Sequence, residues 1–373
     1  MTDVVKVFHK DLYNFISQDK FKYSKYLPIS KIRAWSHQHN PRANADDLVL
    51  VLVYEEGEMT GYLGVLPDDL YFLNSADIYE KEHVGWLSCM WVNPELRGKG
   101  IAKTLIQTVF EAWNYRILVT EFTPAAKGLY DRTAQFLDFS KPEGLRLYLR
   151  MNLAYLLPAQ NPVKWEKFVP IFSIFDKVFN FFNNIRFLVN KKPEVSFVYL
   201  TEPDLDVQNF IEAVRNKNEI ARRNTEDLKW IINYPWLQSG VAENEESKRY
   251  HFSSVSNHFS FLNIKVLDDN KKLIGFLILS VRDQNMKLPY CYFIPGKEKN
   301  IIEVIEYHLV KLKINMLTVF QPALVEYWKK NSGKQFLKRK MNRHYIISKV
   351  FENQLLNQKE IIFQDGDADA AFT

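Results

Sequence analysis

Short apolar runs alternate along the chain with stretches of helical periodicity, so strands and helices are interleaved from the start. Residues 47–54 form a continuous apolar run of strand length. The turn Glu55-Glu56-Gly57-Glu58 follows, and residues 59–66 complete a hairpin. Residues 83–92 predict a third strand. Residues 100–113 predict a helix whose apolar face carries Ile101, Leu105, Val109 and Ala112. A strand over 116–121 and a helix over 125–136 close this series. The order then recurs: a hairpin over 259–281, a strand over 286–294, a helix over 301–312, a strand over 315–320 and a helix over 323–331.

The recurrence extends to single residues. Met59-Thr60-Gly61-Tyr62-Leu63 pairs with Leu273-Ile274-Gly275-Phe276-Leu277, Cys89 with Cys291, Pro124-Ala125 with Pro322-Ala323, and Tyr130 with Trp328. A duplicated α+β domain is the economical reading, each copy a central, mostly antiparallel sheet flanked by helices. The expected boundaries are a first domain at 1–153, a linker at 154–194, a second domain at 195–350 and a tail at 351–373. Pro158, Pro162 and Pro170 mark the linker. Within it, residues 168–189 place Phe172, Phe175, Phe179 and Phe182 at helical spacing. This predicts a helix docking its aromatic face between the halves, with a membrane-surface or acyl-chain-binding helix as the alternative. The acidic end, Gln364 to Thr373, is expected to be disordered.

Composition adds limits. With 47% hydrophobic and 25% charged residues in 373, the chain has the usage of a globular protein of two domains. A net charge of +5 does not call for nucleic acid but suits an anionic small ligand. Two cysteines make neither a disulfide framework nor a zinc site, and they point to a reducing compartment. No signal pattern or spanning apolar run is found, which makes a cytoplasmic protein the expectation.

The chemistry concentrates between Trp86 and Phe110. A strand ends at Val92, and Arg97-Gly98-Lys99-Gly100-Ile101-Ala102 opens a helix. Two glycines let backbone amides converge, the helix N-terminus adds its dipole, and Arg97 and Lys99 add full charge. Such a loop can hold a pyrophosphate. Lys103 stands where a Rossmann fingerprint needs its third glycine, and no Gly-Lys-Ser/Thr opens the helix as a P-loop requires.

The pattern that remains, Arg/Gln-x-x-Gly-x-Gly/Ala, is met by Arg97, Gly100 and Ala102. Here the chain resembles the GNAT superfamily of acyl-CoA-dependent N-acyltransferases. The resemblance covers the first ~150 residues, a span set by domain size, and implies two GNAT-like domains of which the second is degenerate. It implies that Met90, Trp91 and Val92 run along the pantetheine arm, and that the amides of Arg97 to Ala102 hold the pyrophosphate. Thr123 and Ala126 fall in the family's Asn-x-x-Ala-x-x-Leu-Tyr block, with Thr in place of Asn, and Tyr130 falls at its general acid. The implied co-substrate is acetyl-CoA or another acyl-CoA, with no metal, and the implied partner is a small-molecule amine.

Acyl transfer needs a neutral amine, a donor to the oxyanion and a proton for the leaving sulfur. Tyr130 is expected to supply the proton and the Val92 amide the donor. Glu82, His83 and Glu121 are the candidate bases. Cys89, mid-strand with no basic neighbour in sequence, is set aside as a nucleophile. In the second half, Pro295-Gly296-Lys297-Glu298 has one glycine where the loop needs two, and Trp328 has no hydroxyl. That half is therefore expected to be non-catalytic and to complete the acceptor cleft. Two rival functions stay open: an acyl-CoA-binding pseudoenzyme and a FemAB-like aminoacyl transferase.

Overall fold

The computed structural model describes residues 2–187, 192–331, 333–358 and 360–372. In chain order the strands are β1 (Thr2–Phe8), β2 (Leu48–Glu55), β3 (Glu58–Leu73), β4 (Tyr79–Val92), β5 (Ile117–Thr120), β6 (Phe136–Ser140), β7 (Glu143–Tyr148), β8 (Ser196–Leu200), β9 (Gln238–Ser239), β10 (Val255–Ser256), β11 (Phe259–Leu267), β12 (Leu273–Arg282), β13 (Asn285–Phe293), β14 (Met316–Val319), β15 (Leu337–Asn342) and β16 (Tyr345–Ser348). Fourteen of them build two seven-stranded sheets, ordered β1-β2-β3-β4-β5-β16-β6 and β15-β7-β14-β13-β12-β11-β8. Among the described pairs within these sheets, only β4 with β5 and β13 with β14 run parallel. A crossover helix joins each parallel pair, Ile101–Ala112 in the first sheet and Glu298–Lys311 in the second. The α+β class with two mostly antiparallel, helix-flanked sheets is what the sequence pattern implied.

The two sheets share a packing detail as well as an order. A Cβ on Gly61 would stand 2.8 Å from Ile101 Cγ2, and one on Gly275 would stand 2.4 Å from Ile301 Cδ1. In both copies a glycine on the hairpin lets the crossover helix lie close against the sheet. This supports the duplication read from the pairing of Gly61 with Gly275.

The compact units are not contiguous, contrary to the expected boundaries. One comprises 1–142, 202–259 and 343–373, and the other comprises 143–201 and 260–342. The chain leaves the first sheet after β6 to place β7 between β14 and β15. It returns after β15 to place β16 between β5 and β6. Hydrophobic periodicity assigns a strand its faces but not its sheet, so a reciprocal exchange of this kind is invisible in the pattern.

The acidic end is ordered from Gln364 to Phe372, and Lys359 and Thr373 lie outside the described residues. Asp365 pairs with Arg343 at 2.6 Å and Asp367 with Arg223 at 3.4 Å. Phe372 stacks on Trp236 at 4.7 Å and meets Trp230 edge-on. The acidic residues that suggested disorder are each matched to a buried partner from a distant part of the chain. The described part of the proline-marked linker is also structured. It carries the helices Leu153–Gln160 and Pro162–Trp165, followed by Val169–Asn184. Pro162 and Pro170 occupy first turns, where a missing N–H costs nothing. The Phe-rich segment is helical, but Phe175 and Phe182 are 63% and 64% exposed, so its aromatic face is not docked. Leu188 and Val189, the end of that segment, lie outside the described residues.

Candidate active site

The first sheet opens at the strand that carries the motif. β4 and β5 pair only at Gly85 with Ile117 and at Trp86 with Leu118, while β4 runs on to Val92. Beyond Trp86 the edge of β4 that faces β5 therefore has no strand partner among the described residues. On the opposite edge, Tyr62 aligns with Trp91 and Gly64 with Ser88, so Cys89 and Met90 together face one residue, Leu63. This is a β-bulge, and Cys89 sits in it at φ 58°. Asn93 N–H donates to Thr60 O at 2.9 Å, so by alternation Val92 turns its N–H to the open side. Met90 and Val92 pack toward the crossover-helix core, whereas Trp91 stacks on His251 at 4.5 Å on the other face.

After β4 comes a turn capped by Asn93, then the glycine loop. Gly98 and Gly100 have φ of 88° and 87°, and a Cβ built on either meets nothing within 4 Å. Gly100 caps the helix Ile101–Ala112 in the left-handed conformation. The first helical bond runs from Thr104 N to Gly100 O. The amides of Gly98, Gly100, Ile101, Ala102 and Lys103 thus have no protein acceptor among the described residues. Arg97 and Lys99 are exposed beside them. Free amides, open space and two cations in one loop make an anion site, and a pyrophosphate fits it. An open cavity of about 800 Å³ adjoins the loop, lined by Asn93, Leu96 and Lys99 and also by Lys25, Glu55, Glu56 and Glu58.

Tyr130 stands on the helix Pro124–Thr133 and is buried between Phe122 and Phe136. Burial pushes its phenol well above the ordinary value, so it stays protonated at neutral pH. Thr123 caps this helix, its hydroxyl accepting from Ala126 N at 3.2 Å. The Thr for Asn exchange thus keeps a capping acceptor at that position.

The candidate bases separate in space. Glu121 directly follows the end of β5 at Thr120. Its carboxylate pairs with Arg343 at 3.0 Å. Glu82 lies ten residues before Val92, about 33 Å away along an extended strand, where it pairs with Arg116 at 3.2 Å. The structure does not bring it to the loop. His83 is held between Asp47 at 3.0 Å and Asp69 at 2.9 Å. Burial alone would lower its pKa, but these hydrogen bonds outweigh it and raise the imidazole to about 9. A ring protonated at neutral pH cannot take a proton from an amine.

Sequence reasoning missed the polar group behind the bulge. Tyr250 donates to Cys89 Sγ at 3.6 Å, and Arg33 Nη1 donates to Tyr250 Oη at 3.2 Å. Ser88 donates to the buried carboxylate of Asp369. The basic neighbour that Cys89 lacks in sequence is thus supplied from 56 positions upstream through a tyrosine 161 positions downstream. No local signal could have found it.

The second unit's counterpart of the loop is already filled. Gly296 N–H donates to the Glu298 carboxylate at 3.0 Å, so the added acid occupies an amide that an anion would need. Trp328, expected to line a cleft, is wholly buried in that unit's core and donates to Glu306 at 3.4 Å.

Residues 10–136 match the model of the Acetyltransferase (GNAT) family. No curated protein matches the chain in sequence. Among solved structures, a conserved Enterococcus faecalis protein described as a probable N-acyltransferase aligns at 7% identity with a TM-score of 0.52, covering 93% of this chain and 72% of that one. A GCN5-related N-acetyltransferase from Anabaena variabilis aligns at 8% identity and TM-score 0.49, covering 92% and 72%. N-myristoyltransferase from Saccharomyces cerevisiae aligns at 10% identity and TM-score 0.47, covering 93% and 79%. The first of these carries the likeness in fold. The domain built around residues 10–136 belongs to the GNAT acetyltransferase family.

Proposed function

We propose that the chain is an acyl-CoA-dependent N-acyltransferase that moves an acetyl group from acetyl-CoA to a primary amine of a small molecule. The observation that carries this reading is the set of amides at Gly98 and from Gly100 to Lys103 that have no acceptor among the described residues, beside the edge of β4 that leaves β5 after Trp86. The coenzyme supplies an acyl thioester, and the protein's part is to hold it, to donate to developing negative charge and to deliver a proton. The amides of the glycine loop, with Arg97 and Lys99, hold the pyrophosphate. The edge from Met90 to Val92 offers backbone groups to the pantetheine arm, and Val92 N–H donates to the carbonyl oxygen. Tyr130, kept protonated by burial, gives its proton to the leaving sulfur. Glu121, just past the end of β5, accepts a proton from the amine, directly or through water.

A cationic amine is favoured by the lining of the adjoining cavity, where Glu55, Glu56 and Glu58 outnumber Lys25 and Lys99. The second domain takes no coenzyme in this reading, because Glu298 fills its loop. The test is release of free thiol from acetyl-CoA and longer acyl-CoAs over a panel of small amines. Amine-dependent release is expected. Tight acyl-CoA binding with no release over the panel would instead mark an acyl-CoA-binding module.

A further inference from the structure

The helix Val169–Asn184 is turned inside out. Three of its polar residues face the protein: Asp176 and Asn183 are buried and Asn180 is half-buried. The Asp176 carboxylate accepts from Leu153 N and Ala154 N, both at 2.9 Å, and so caps the helix Leu153–Gln160. Asn180 accepts from Met151 N and donates to Met151 O, both at 2.8 Å, and Asn183 donates to Leu149 O at 2.6 Å. These bonds fix the rotation of the helix about its axis. The face left outward carries Ile171, Ile174, Phe175, Val178, Phe181 and Phe182, each 54–71% exposed. Their spacing is that of one continuous helical stripe. A stripe of large apolar side chains held in water by specific polar bonds on its reverse side is a docking surface.

Charge decides the occupant. Lys164, Lys167, Lys177 and Arg186 are exposed on this segment, against Glu166 as the one exposed acid. Lys164 lies 4.4 Å from the Trp165 ring and Lys167 5.2 Å from the Phe168 ring, so aromatic and cationic groups sit together where the stripe begins. An apolar face edged by lysines and aromatic rings suits the interface of an anionic bilayer. A second copy of the chain would instead bring like charges together, and the chain as a whole carries +5. The helix has 16 residues, and no described helix is long and apolar enough to cross a membrane. We propose that the helix Val169–Asn184 lies in the surface of an anionic phospholipid membrane and docks the protein there.

The full-length protein is sedimented with vesicles of phosphatidylcholine alone and of phosphatidylcholine and phosphatidylglycerol in equal parts. It should pellet with the anionic vesicles and be released by salt. Phe175→Glu and Phe182→Glu should each weaken that partition about tenfold or more at an unchanged melting temperature, since both side chains are exposed. Lys164→Glu combined with Lys167→Glu should weaken binding to the anionic vesicles as well. The proposal is overturned if the wild type stays in the supernatant, or if the Phe variants pellet as it does. It is equally overturned if Phe175→Glu lowers the melting temperature, which would mean the face is covered within the fold. A wild-type dimer in vesicle-free solution that Phe175→Glu converts to a monomer would assign the face to a second copy.

Discussion

Replacing Tyr130 by Phe removes one oxygen and keeps the ring that packs 6.0 Å from Phe122 and 5.4 Å from Phe136. The tyrosine is 3% exposed, and its hydroxyl has no partner among the described residues, so the exchange costs less than about 1 kcal/mol of stability. A positioned general acid is worth about 10²–10⁴ in rate, which corresponds to about 2.7–5.4 kcal/mol of activation free energy. Tyr130→Phe should therefore lower kcat and kcat/KM together by about two to four decades and leave the KM for acetyl-CoA in place. The assay is steady-state thiol release over a range of acetyl-CoA, with thermal melting of the same preparation. Trp328→Phe is the control. It empties space in the second unit's core and should cost about 1–3 kcal/mol of stability without touching kcat. A Tyr130→Phe enzyme within about twofold of the wild-type kcat would leave Tyr130 a packing residue and refute the assignment.

Two other perturbations test the scaffold. Asp68 accepts from Arg42 Nη1 at 2.8 Å and from Arg223 at 2.8 and 2.6 Å, all three side chains being buried. Asp68→Ala leaves two buried guanidiniums short of an anion and should cost about 3–5 kcal/mol in urea unfolding, and a loss below about 1 kcal/mol would contradict the buried network. His83 is raised in the folded state from 6.5 to about 9. Its contribution is therefore complete below pH 6.5 and lost as pH rises through about 9. The melting temperature should fall across that window, and His83→Gln should remove that part of the slope.

The parts of the molecule that were legible in the sequence are those encoded locally. The run 48–54 is buried on both faces of its sheet, the glycine loop is four residues of turn chemistry, and the crossover helix shows its apolar stripe. The pairing of Gly61 with Gly275 was legible too, because the same close helix–sheet approach demands a glycine in each copy. What was not legible depends on partners far apart in the chain. β16 enters the first sheet from more than 200 positions beyond β5, and nothing in Tyr345 to Ser348 names its neighbours. The tail reads as an acidic, solvated end until Arg223 and Arg343 are placed opposite Asp367 and Asp365. The Phe spacing of the Phe-rich helix predicts the usual inward apolar face. Asp176, Asn180 and Asn183 lie on one side of that helix at spacings of four and three, a polar stripe that turned the opposite way. At the site, the loop was reachable from spacing and Tyr130 only through the resemblance to the family, whereas the Arg33–Tyr250–Cys89 contact was not reachable at all.

The central claim is that the loop from Arg97 to Ala102 holds the coenzyme's pyrophosphate, and calorimetric titration with coenzyme A tests it most directly. Gly100 stands at φ 87° with open space where a side chain would project. Gly100→Glu strains the backbone by about 1–2 kcal/mol and sets a carboxylate at the free amides. Repulsion at an exposed site and lost charge-assisted hydrogen bonds together amount to about 3–5 kcal/mol of binding. The account predicts saturable binding by the wild type and about 10²-fold or greater weakening in a folded Gly100→Glu variant. A wild type that does not bind coenzyme A, or a folded variant that binds it as tightly as the wild type, would contradict the account.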